Sequence, residues 1–136
     1  MPFVYWKDFI YEGPTLVGVT RVAQQFLMQP PATSASAERG ISGVRVGLDD
    51  TYNALWRIEV VNAKSEVASR FAVESFKKIQ EQYIVKRITL TDYTSRDRTT
   101  FEVKAACVGI SLNRNLFCSE TALSVDASIP SSMIEL

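Results

Sequence analysis

The sequence predicts an α+β domain: two antiparallel hairpins forming one sheet, packed by two helices in the order α-β-β-α-β-β, with an apolar N-terminal arm and an irregular C-terminal tail. Three observations carry this expectation. Apolar residues recur near a 3.6-residue period in two stretches, alternate with polar residues in others, and the stretches are separated by turn-forming residues. Helices interleaved with hairpins are expected to layer on an antiparallel or mixed sheet.

Residues 1–13 form the arm. Phe3, Tyr5, Trp6, Phe9 and Tyr11 crowd into it, an aromatic density too costly to leave in water, so the arm must pack on its own core or on a neighbour. Gly13-Pro14 ends it. From Thr15 to Gln29, the spacing of Leu16, Val19, Val22, Ala23, Phe26 and Leu27 predicts the first helix, although Gly18 and the β-branched Val17, Val19 and Thr20 disfavour a helical first turn. Residues 29–40, with Pro30-Pro31 and a run of small polar side chains, read as a long loop.

Val44, Val46 and Leu48, then Trp56, Ile58 and Val60, alternate with polar or small residues across the turn Asp49–Asn53, which predicts the first hairpin. The Asp-Asp pair is expected to satisfy local backbone donors rather than to hold a cation. Between Lys64 and about Gln82, Ala68, Ala72, Phe76, Ile79 and Tyr83 recur at spacings of four and three, with Val67 and Phe71 widening the stripe. A second helix follows from this pattern, with Asn62 or Ser65 as its cap and the pairs Glu66/Arg70 and Glu74/Lys78 on its outer face. Ile88 and Leu90, then Phe101, Val103, Ala105 and Cys107, flank the polar turn 92–98 and predict the second hairpin. Residues 113–136 form the tail, and the whole chain, 1–136, is read as a single domain of a size that buries roughly 65–70% of its unfolded surface.

Function is approached mainly by exclusion. The chain has no histidine, which removes histidine-based triads, histidine general bases and the common zinc and facial-triad iron sites. Two cysteines, Cys107 and Cys118, are too few for a four-thiolate site or a disulfide framework and read as buried thiols. The glycine-rich stretch Gly40–Gly47 lacks the Gly-Lys-Ser/Thr ending of a phosphate loop. No catalytic, cofactor-binding or metal residue is expected, and no cofactor. With 15 basic and 15 acidic residues the formal net charge is zero, so no global field draws the chain to nucleic acid or an anionic membrane. No signal segment or bilayer-spanning apolar run is apparent, and the expected compartment is the cytoplasm, of a cell or of an infected host.

Phe71–Leu90, with Phe-Ala-Val-Glu-Ser-Phe-Lys-Lys-Ile-Gln followed by Ile-Val-Lys-Arg-Ile-Thr-Leu, distantly resembles the helix-to-strand part of small phycobilisome linker modules, without their Pro before the helix or Gly-Gly after it. The element order is similar to that of bacteriophage tail-terminator and related ring-forming tail proteins, which implies a virion or particle component. The leading functional expectation is therefore a non-enzymatic assembly subunit, a homo-oligomer joined through Phe3, Tyr5, Trp6, Phe9 and Tyr11 of the arm and Met133, Ile134 and Leu136 of the tail. The alternative is a nucleic-acid-binding module using a basic strip of Lys77, Lys78, Lys86, Arg87, Arg96 and Arg98.

Overall fold

The alternating stretches form strands, and so do both stretches read as helices. In a computed structural model, which describes residues 2–109 and 134–136, seven strands hydrogen-bond in sequence order, each antiparallel to the next. They are β1 (Asp8–Val17), β2 (Arg21–Gln29), β3 (Ile41–Asp49), β4 (Ala54–Asn62), β5 (Val67–Ile79), β6 (Gln82–Asp92) and β7 (Arg98–Glu102). Two further short strands, β8 (Ala105–Ala106) and β9 (Ile134–Glu135), pair with each other. The helical segments are a 3₁₀ turn at Pro2–Tyr5 and one α-helical turn, α1, at Ala35–Glu38.

The α+β expectation and its α-β-β-α-β-β order are thus corrected to an antiparallel meander. The error has a specific origin. A spacing of four, as in Ala68, Ala72 and Phe76, keeps residues on one face at two residues per repeat almost as well as at 3.6. The discriminating residue is Val73, which a helix through that stripe would turn toward water but which is 7% exposed here. Phe71 and Val73 share the other face of the strand, and the β-branched and aromatic content of the segment suits that state. In Thr15–Gln29 the reversal falls at Gly18, whose φ of +67° opens the β1–β2 turn where a helix had been expected.

Polar groups expected to serve a helix serve the sheet instead. Asn62 caps a turn: its Oδ1 accepts from the backbone N–H of Lys64 and Glu66 between β4 and β5. Arg70 and Lys78 do not meet the acids four residues before them; Arg70 pairs across the ladder with Glu59, and Lys78 with Glu81. The first hairpin is present, with Val44 opposite Val60 and Val46 opposite Ile58. Asp49 is buried in its turn, where Oδ1 accepts from the N–H of Thr51 and Tyr52 and Oδ2 from Arg21. The second hairpin is present with Ile88 opposite Phe101, but β7 stops at Glu102, and Ala105–Ala106 belong to the separate two-stranded sheet.

Direct cross-strand partners share a face, so the register assigns every side chain to one of two surfaces. One transverse row runs Tyr11, Phe26, Val46, Ile58, Phe71, Leu90, Thr99 through all seven strands. The adjoining row on the same face runs Phe9, Met28, Val44, Val60, Ser69. On the opposite face the corresponding row runs Leu27, Arg45, Glu59, Arg70, Thr91, Arg98. The sheet therefore has an apolar face and a charged face.

Trp56 of β4 lies close over Gly47 of β3. A Cβ built there would lie 2.5 Å from Nε1 of Trp56, whose buried indole N–H finds no hydrogen-bond partner. Gly47→Ala is expected to displace the indole and cost about 1–3 kcal/mol, the range for overpacking. Urea denaturation together with a shift in Trp emission checks this; unchanged stability and emission would show that the ring moves aside freely.

Candidate functional site

Among the described residues, the apolar face is only partly covered. Phe3 is 9% exposed and, with Val44, Val46 and Ile58, makes the buried cluster against which Trp6, Met28, Leu55 and Phe71 pack. The N-terminal 3₁₀ turn lies over this cluster, held by a single backbone hydrogen bond of its own, from Trp6 N–H to the Phe3 carbonyl. Between the turn, α1 and the sheet is a cavity of about 320 Å³. Its walls are Phe3, Trp6, Ile41, Val44, Ile58, Val60, Phe71 and Leu90, with Ser36 and Ser69 as the polar exceptions and no charged side chain.

Beyond the cavity the same face continues into water. Leu90 is 50% exposed and Phe101 62%, and at the other end Phe9 and Tyr11 pack on Phe26 at ring-centroid distances of 6.0 and 5.3 Å while staying largely open to solvent. A run of apolar side chains across a whole sheet, half roofed and half open, is the surface a monomeric protein ordinarily avoids unless something apolar binds there. The chemistry that dominates on it is dispersion and hydrophobic burial, which suits hydrocarbon.

The charged face needs no cover. Arg45 makes a two-pronged pair with Glu12, at 2.6 and 3.1 Å, and reaches Glu59 at 3.1 Å; Arg70 reaches Glu59 at 2.8 Å. Toward β7, Glu74 accepts from the Thr89 hydroxyl and from Arg98, and Glu102 pairs with Lys104 and Arg87. The Thr89 hydrogen bond first, then Arg98, holds the Glu74 carboxyl below the usual carboxylate range. A carboxyl lowered in the folded state adds stability above its ordinary range and loses it as pH falls through the lowered value. Thr89→Val is accordingly expected to raise the Glu74 pKa toward its ordinary value, read by carboxyl-carbon NMR titration; an unmoved midpoint would rule out the hydroxyl as the main cause.

Sequence comparison contributes nothing here: no protein-family model and no curated protein matches the chain. Fold comparison does. The fold resembles lipoprotein-sorting domains. A domain from Vibrio parahaemolyticus assigned to outer membrane lipoprotein sorting superposes with a TM-score of 0.67 at 13% identity, over 83% of this chain and 46% of its own. A DUF1329 family protein from Desulfovibrio piger follows at TM-score 0.57 and 14% identity, over 85% of this chain and 46% of its own. A LolA superfamily protein from Nitrosomonas europaea gives 0.55 and 11%, over 74% and 44%. The chain thus spans about half the length of each of these structures, and at such identities the likeness is one of fold.

These findings overturn the earlier functional expectations. The resemblances to tail-terminator proteins and phycobilisome linkers rested on helices at 15–29 and 64–82 that are strands, and the matching fold is that of the lipoprotein-sorting and LolA superfamily structures. The nucleic-acid strip does not assemble either. Lys77 and Lys78 are consecutive in β5 and so point to opposite faces, Arg87 and Arg98 are paired with Glu102 and Glu74, and Arg96 sits in the β6–β7 turn with φ +65°. Lys86 lies on β6 at the register shift opposite β5.

Of the residues expected to bind a partner, Phe3 and Trp6 line the cavity, and Phe9 and Tyr11 lie on its open extension. Tyr5 points away, at 84% exposure. Phe9 and Tyr11 belong to β1 and are not part of a free arm. Ile134 pairs with Ala106, and the Leu136 N–H donates to the Lys104 carbonyl, so this end docks beside its own chain. Met133 and Cys118 lie outside the described residues. Among the described residues, the exposed apolar surface lies on the sheet face rather than at two free ends. Sequence reasoning treated Val44, Ile58, Val60, Phe71 and Leu90 as core alone and read Ile41 only within the glycine-rich stretch; the missing signal was that, among the described residues, one N-terminal turn and α1 roof part of this face in place of two helices.

Proposed function

We propose that this chain is a non-enzymatic binding module that shelters an acyl chain, carried by a lipid-modified protein, on the apolar face of its sheet. The observation that carries the reading is the cavity of about 320 Å³ walled by eight apolar side chains and opening at Leu90 onto further exposed apolar surface. Its size falls in the lower part of the range of small-ligand sites, roughly 300–1,000 Å³. Each methylene moved from water into such walls contributes about 0.8 kcal/mol, so a chain of modest length supplies useful affinity without any polar contact. The fold likeness to a domain assigned to lipoprotein sorting supports the same reading.

The two tryptophans make the test direct. Trp6 lines the cavity, whereas Trp56 stacks under Arg57 and against Gly47. In a Trp56→Phe protein, an acyl chain brominated near its middle is expected to quench Trp6 saturably, and its unbrominated counterpart to compete the quenching away. Quenching that stays linear with added lipid and is not competed would sink the proposal.

A further inference from the structure

We propose that the charged face of the sheet carries a second, separate binding site, in which the guanidinium of Arg57 takes a single oxyanion, a carboxylate or phosphate group. The residues are arranged around one buried carboxylate. Glu59 is 3% exposed and lies among Arg45, Arg57 and Arg70 in a depression that also includes Glu12. Both Glu59 oxygens are already engaged, Oε2 by Arg45 at 3.1 Å and Oε1 by Arg70 at 2.8 Å. Arg45 also donates from Nε and Nη2 to Glu12. Arg57 hydrogen-bonds neither acid. Its Nε stands 3.6 Å from Glu59 Oε1, too far for a hydrogen bond, and its guanidinium carbon lies 4.3 Å from the centroid of the Trp56 ring.

Three guanidinium groups face two carboxylates in this depression, leaving one positive charge in excess, and Arg57 is the guanidinium that hydrogen-bonds neither carboxylate. The Trp56 indole holds the Arg57 guanidinium in a cation–π contact at the edge of this cluster. Burial pulls the Arg57 pKa below its ordinary value against the attraction of Glu59, and the neighbouring Arg70 and Arg45 add to the lowering, so an incoming anion relieves a repulsion already present. One monoanion restores neutrality, and an oxyanion matches the fork geometry.

The site is tested by NMR on the full chain with ¹⁵N-labelled arginine in chloride-free buffer, titrating sodium acetate and, separately, inorganic phosphate. The Arg57 Nε–Hε signal is expected to move most and to saturate, in step with Trp56 fluorescence, while Arg39, outside the depression, moves little. Arg57→Gln is expected to raise the half-saturating concentration at least tenfold by Trp56 fluorescence; should that variant fold poorly, the wild-type Arg57 signal decides alone. Stronger response to acetate assigns a carboxylate ligand, and stronger response to phosphate a phosphate. Shifts that fail to saturate, are shared equally by Arg39, or survive in Arg57→Gln would overturn the site.

Discussion

Glu59→Ala is expected to destabilise the protein by about 3 kcal/mol, the lower end of the cost of removing one partner from a buried ion pair. The carboxylate is almost wholly out of water, and Arg45, Arg57 and Arg70 converge on it from three neighbouring positions on β3, β4 and β5. Deleting it leaves three cations facing one another across the middle of the sheet. The arginine side chains are 28%, 21% and 38% exposed and partly rehydrate, which is why the lower end is expected. Glu102→Ala is the control, since its pairs with Arg87 and Lys104 are open to solvent and should contribute much less. Urea unfolding midpoints compare the two. A Glu59→Ala loss no larger than that of Glu102→Ala would mean that the cluster does not organise the central strands.

The second large effect concerns ligand. Leu90→Asp is expected to weaken acyl-chain binding about tenfold or more, a loss of about 1.4 kcal/mol, because it sets a charge at the mouth of the cavity where a chain must pass or lie. Ile10→Asp is a matched control: Ile10 is 49% exposed against 50% for Leu90, but its register with Leu27 places it on the charged face. Both substitutions are at half-exposed strand positions, so their stability costs should be comparable and small. Competition of a brominated acyl chain in the Trp56→Phe background measures both. Equal weakening by the two variants, or none from Leu90→Asp, would dissociate binding from the apolar face.

Much of the sheet is legible in the residues. The alternations around Val44–Leu48, Trp56–Val60 and Phe101 locate strands and even their pairing, because polar turn residues leave only one short closure for each hairpin. The two stretches misassigned as helices share a property: apolar residues spaced by four satisfy both periods, and the choice is made by what each face meets. Phe71 and Val73 face Ile58 and Ile88 or their neighbours across the ladder, contacts no local pattern announces.

The site was half visible. Phe3 and Trp6 stood out as aromatics needing shelter, and they do find it, on their own sheet. Tyr5, with the same composition signal, is out in water, because at three residues per turn Phe3 and Trp6 come to one side and Tyr5 to another, and composition carries no direction. Arg57 could not be singled out at all, since its lack of a partner depends on Glu59 being spent on Arg45 and Arg70.

By itself, the sequence determined which histidine- and thiolate-based chemistries its residues cannot supply, where most turns fall, and that the N-terminal segment carries an unusual aromatic density: these follow from residue type and short-range spacing. Tertiary structure alone decided that the apolar positions form one continuous face with no helix layer above it among the described residues, and that the charges gather on the other. That division depends on the register of seven strands, and register is set by long-range pairing between residues that have no neighbour relation along the chain.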